Sequence, residues 1–156
     1  MKVQTGIDEK GRREVADGLN RLLADTYTLY VKTQGFHWNV TGSLFKPLHD
    51  MFEEQYTELH AMIDPLAERV RALGYPALGS LAEYAKVTTI HDSGQVPSAK
   101  EMLRQLLEDR ESMARTTRHL IEVAEGAGDQ STADMLTGWL EQHEKTAWMI
   151  RSQLAE

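Results

Sequence analysis

The sequence predicts an all-α fold, a four-helix bundle with one long crossover that carries a short extra helix. Three observations predict it. Apolar residues recur at three- and four-residue spacings through four long stretches. The first and last breaks between those stretches are about five residues long, whereas the middle one is roughly 25. No credible strand pattern occurs, "KVTTI" being the only β-like run, and it is short.

The first helix is expected from about Asp8 to His37, with Val15, Leu19, Leu22, Leu29 and Tyr30 as its apolar stripe. The turn "NVTG" follows, and Thr41 or Ser43 is available to cap the next helix. That second helix should run from about Leu44 to Leu73 and stop at "GYP". Pro47 falls in its first turn, where a missing N–H does no harm, while Pro65 should bend it. In the long connection, "SLAEYA" reads as one short helix. "SAKE", Ser98 to Glu101, is a capping box that opens the third long helix. This helix carries Met102, Leu106, Met113, Leu120 and Ile121 and halts at "EGAGD". The fourth starts near Ser131 and lines up Leu136, Trp139, Leu140, Ile150 and Leu154.

Short breaks make antiparallel hairpins. A helix of about 30 residues is ~45 Å long, and the middle connection is long enough to run back along it. One such crossover is the connectivity of ferritin-like bundles.

The 156 residues are read as a single domain, 1–156, with residues 1–7 as a flexible arm. Composition is ordinary for a globular chain, and the absence of cysteine removes disulfide, thiolate and zinc–thiolate chemistry. No stretch of 18 apolar residues could span a membrane, and the N-terminus lacks the apolar core of a secretory signal. A cytoplasmic location is therefore expected. The net charge of −7 favours cations over phosphate. Lys2, Lys10, Arg12 and Arg13 are the best basic cluster, but Asp8 and Glu9 halve its charge.

The second helix carries more than packing residues. His49 and Glu53 lie one turn apart on one face, as do Asp64 and Glu68. The two pairs share a broad face but stand ~22 Å apart along the axis, too far to grip one ion. They are, however, placed symmetrically about a point between residues 58 and 59. Two copies of the helix packed antiparallel about a two-fold axis there would bring the 49/53 pair of one chain to the 64/68 pair of the other. His37, at the end of the first helix, would join through the short hairpin turn. Imidazole and carboxylate ligation without sulfur suits Fe(II), Mn(II) or Zn(II), and an open carboxylate-rich pocket for two ions favours iron. Taken singly, each carboxylate reads as a solvated face and His37 as a core histidine. His60 reads as an interface hydrogen-bonding residue, and His91, His119 and His143 as structural or surface residues.

The runs "GFHWNVTGSLFKPLHDMFEEQY", "IDPLAERV", "LGYPALGSLAEY", "GDQSTADML" and "HEKTAWMIRS" resemble the Dps family of mini-ferritins across nearly the whole chain. The resemblance implies a hollow homododecamer built on that two-fold interface. It implies Fe(II) oxidation to Fe(III) at inter-subunit di-iron sites, with hydrogen peroxide preferred to dioxygen, and storage of ferric mineral against oxidative stress. The family's ligand positions fall on His37, His49, Glu53, Asp64 and Glu68. Glu53 departs from the usual Asp by one methylene, which bears on the second iron position. Trp38 matches a tryptophan near the family's site and is a candidate electron donor, or it simply packs the interface. Asp129 and Asp134 resemble the acidic lining of the family's entry pores; the plain alternative for Asp134 is electrostatic capping of the fourth helix. Zinc and manganese are candidate competitors. No Glu is followed three residues later by His, the spacing the larger ferritins use. The rival function is DNA compaction, which in this family uses lysine-rich tails that this chain lacks, so DNA binding is expected to be weak or absent. A passive cage is the second rival.

Overall fold

The computed structural model describes residues 2–155. Its helices are α1 (Glu9–Asn39), α2 (Phe45–Ala72), α3 (Leu81–Val87), α4 (Ala99–Gly126) and α5 (Gln130–Leu154). There is no strand among the described residues. The four long helices are the expected bundle, and α3 is the short helix of the crossover.

Each helix boundary has a local cause. Asp8 accepts the Gly11 N–H at 2.7 Å and starts α1. The side-chain cap expected from Thr41 or Ser43 is not used: Leu44 occupies the cap position of α2 without a side-chain bond. Pro47 brings no N–H to the first turn, and the Phe45 N–H is met by the Gly42 carbonyl at 3.0 Å. Less remains for a side chain to cap. At the other end of α2, Gly74 takes φ +96°. It donates to the Arg71 carbonyl while Tyr75 donates to that of Val70, closing a Schellman motif. Gly128, at φ +72°, does the same for α4, with bonds from Gly128 to Glu125 and from Asp129 to Ala124. α2 continues unbroken through Pro65.

Val15, Leu19, Leu22 and Leu29 of α1 are buried, as are Phe52, Leu59 and Leu66 of α2. They meet Leu106 and Met113 of α4, and Leu136 and Ile150 of α5, in one core. α1 and α4 approach closely at Gly18, where a Cβ would stand only 2.3 Å from Cδ1 of Leu120. Lys32 of α1 also reaches Asp109 of α4 at 2.6 Å, with both side chains largely buried.

The β-like run "KVTTI" has a different use. Asp25 of α1, buried, accepts from Thr88 Oγ1 at 2.8 Å, Thr89 N at 2.6 Å and Thr89 Oγ1 at 3.0 Å. One carboxylate thus pins the crossover to the bundle. Val3 and Ile7 of the expected arm are held to the bundle, while Lys2 and residues 4–6 are exposed. The Arg12 guanidinium donates to the carbonyls of Val3 and Ile7, and Ile7 packs on the core. Met1 lies outside the described residues.

Candidate metal centre

The α1–α2 hairpin brings His37, near the end of α1, against His49, in the second turn of α2. Their rings stack with centroids 3.8 Å apart and planes 17° from parallel. Each Nδ1 bonds to the other residue's backbone carbonyl: His37 to His49 O at 2.7 Å, and His49 to His37 O at 2.8 Å. A carbonyl can only accept, so both Nδ1 atoms carry the proton. Both Nε2 atoms are therefore left with a bare lone pair. Metal-binding histidines are oriented in this way, by a bond from the non-ligating nitrogen.

Glu53 stands one turn further along α2 and is exposed. Asp64 and Glu68 are exposed as well, on the last third of the same helix, with His60 between the two groups. The chain thus pairs His37 with His49 and leaves Asp64 and Glu68 far along the axis. Among the described residues, no group of three or more His, Asp or Glu side chains could hold a metal ion within one chain.

Other candidates are placed as follows. Trp38 is 66% exposed. Asp134 is exposed in the second turn of α5. Asp129 is the reverse, with 1% of its surface exposed. It caps α5 by accepting from Thr132 N at 3.1 Å and also takes a bond from the Arg69 guanidinium at 2.5 Å. The side chain that caps α5 by a hydrogen bond is therefore that of Asp129. Held by Arg69 and Thr132, Asp129 does not face solvent within the chain.

Sequence reasoning passed over a polar centre in the bundle. Arg110 is fully buried, donating to His143 Nδ1 at 3.1 Å and to the Gln55 carbonyl at 3.2 Å. Burial lowers the Arg110 pKa to about 10, so it stays cationic at neutral pH. Burial first, and the Arg110 charge second, push the His143 imidazole down to about 3. The signal was present: Arg110 sits between Leu106 and Met113, at core spacing on the α4 stripe.

The ferritin-like domain model matches residues 16–156. A low temperature-induced protein of Nostoc is 42% identical over 153 residues, covering 97% of this chain and 86% of that protein. DNA protection during starvation protein 2 of Bacillus anthracis is 35% identical over 142 residues, 91% of this chain and 97% of that one. The Vibrio cholerae Dps crystal structure, described as a member of a broad superfamily of ferritin-like diiron-carboxylate proteins, superposes with a TM-score of 0.94. It is 31% identical and covers 99% of this chain and 98% of its own. With its helix order, its single crossover and these likenesses along its length, the chain belongs to the Dps family of ferritin-like proteins.

Proposed function

We propose that the protein is a ferroxidase and iron-storage mini-ferritin that protects cells under oxidative stress. Its substrate is Fe(II), and its sites are completed between two copies of the chain. The carrying observation is the histidine pair: two stacked imidazoles whose Nδ1 protons are both committed to backbone carbonyls. That arrangement presents two Nε2 lone pairs at one end of α2.

Two imidazoles alone do not make an iron-oxidising centre, which needs hard anionic oxygen to favour Fe(III). Glu53 supplies one carboxylate from the same chain. Asp64 and Glu68 supply the others from a partner, because antiparallel packing of two α2 helices about residues 58–59 superimposes the two ends. Their exposure in the single chain leaves them free for that role. Twelve such chains in a closed shell give six two-fold interfaces and two sites at each.

At a filled site, two Fe(II) ions each give one electron to hydrogen peroxide. With two protons, the peroxide becomes two waters, and no hydroxyl radical is released. The product Fe(III) is stored as mineral inside the shell. Asp134 is the remaining candidate for an acidic entry pore.

The test is anaerobic loading with Fe(II), addition of peroxide, and absorbance of the ferric product. An Asp64→Ala, Glu68→Ala double variant should lose fast oxidation by at least about tenfold while remaining helical. Equal rates in parent and variant would show that these carboxylates take no part.

A further inference from the structure

An unbroken line of aromatic rings leads away from the histidine pair, beyond which Phe45 stacks on His49. His37 meets Tyr56 edge-on, centroids 5.2 Å apart. Tyr56 meets Tyr30 at 6.0 Å, and Tyr30 meets Tyr27 at 5.9 Å. Tyr27 stacks on Tyr84 at 4.8 Å with planes 21° apart. Every step lies within ring-contact distance. The line crosses from α2 to α1 and ends on α3 of the crossover, so three elements converge to build it. Four of the chain's five tyrosines stand in it. The phenol of each can lose an electron and a proton, which a phenylalanine ring cannot.

We propose that Tyr56, Tyr30 and Tyr27 form a relay that carries an oxidising equivalent away from the metal centre and ends on the Tyr27–Tyr84 stack. The proposal rests on the ferroxidase reading. It concerns the case in which peroxide reaches a site holding a single Fe(II). That ion supplies only one of the two electrons peroxide requires, and Tyr56 supplies the second. Peroxide, Fe(II), the Tyr56 phenol and one proton then yield two waters, Fe(III) and a neutral tyrosyl radical. The O–O bond breaks with both electrons accounted for, so no hydroxyl radical is set free.

The hole then passes by electron transfer from Tyr30 to Tyr56 and from Tyr27 to Tyr30, each reduced phenoxyl regaining a proton from water as the newly oxidised phenol loses one. Tyr56, Tyr30 and Tyr27 are each partly exposed, so the phenol proton of the oxidised ring can leave to water. The stack is the natural resting place. Tyr27 stacks on Tyr84, and both rings line a cleft of about 850 Å³ between α1 and the crossover. The Tyr84 hydroxyl donates to the Leu78 carbonyl at 3.0 Å, which cannot accept a proton outright. The proton therefore departs from Tyr27. Trp38 stands outside this line, making no ring contact among the described residues.

The test uses the full-length assembled protein, loaded anaerobically with half an equivalent of Fe(II) per site and mixed with peroxide. Freeze-quenched electron paramagnetic resonance reads the organic radical, and spin-trapping with peptide mapping locates it. The parent should give a tyrosyl signal with adducts on the peptide holding Tyr27. Tyr56→Phe should lose that signal, and Tyr27→Phe should confine adducts to Tyr30 and Tyr56. In Tyr27→Phe the ferric absorbance after full loading should match the parent's. An unchanged radical in Tyr56→Phe, or its loss in Trp38→Phe instead, overturns the relay and leaves the ferroxidase reading standing. No ferric rise in the parent overturns both.

Discussion

Arg110 and His143 are polar side chains in the middle of an apolar bundle, and they hold each other in place. The guanidinium donates to His143 Nδ1, which must stay unprotonated to accept. Burial and the neighbouring positive charge keep the folded-state pKa of His143 at about 3, against 6.5 for a free imidazole. In the unfolded chain His143 takes up a proton as pH falls through 6.5, whereas in the folded chain it does not until about 3. The stability tied to the neutral form is therefore complete above pH 6.5 and is lost as pH falls toward 3. Urea unfolding at pH 7 and pH 4.5 should show a drop to which His143 contributes about 2 kcal/mol. His143→Gln, which retains an acceptor, should shrink the drop by that amount; an equal drop in both would deny His143 the role.

The α4–α5 hairpin shows how one element boundary is held. Gly128 turns the chain, and Asp129 caps α5 while pairing with Arg69 of α2. Asp129→Ala removes the cap and leaves a partly buried guanidinium without its partner, an expected loss of about 2–4 kcal/mol. Asp134→Ala, on the exposed side of the same helix, should stay within about 0.5 kcal/mol. Denaturant midpoints of the two variants read this contrast directly. The hairpin was legible as a turn from "EGAGD". The particular acid that caps it was not, because Asp129 is buried by Arg69, sixty residues away in the chain.

At the scale of the whole molecule, charge and symmetry matter most. Each chain carries −7, so a shell of twelve would carry about −84 before ions bind. Such a field would draw Fe(II) inward, and salt would screen it over a Debye length of about 8 Å at physiological ionic strength. The initial rate of Fe(II) uptake should therefore fall several-fold between about 10 mM and 150 mM monovalent salt. A salt-independent rate would mean that entry is governed by local ligands alone. Among the described residues no helix is long and apolar enough to cross a membrane.

The sequence by itself determined the helices, their order and the single crossover. Apolar spacing, proline and glycine act locally and leave their mark in consecutive residues. It also located the candidate ligands His37, His49, Glu53, Asp64 and Glu68, because the symmetry of their spacing along one helix is a property of the string. Where the runs of residues depart from local logic, only the tertiary structure decided the outcome. Thr41 and Ser43 look like caps but are not used, since Pro47 and Gly42 already settle the first turn of α2. Asp25 gives no hint in sequence that it anchors Thr88 and Thr89 of the crossover. The reciprocal bonds that bare both Nε2 atoms of the histidine pair, and the four tyrosines aligned behind it, join residues from separate helices. Their relation is one of distance in space, and no periodicity along the chain encodes it.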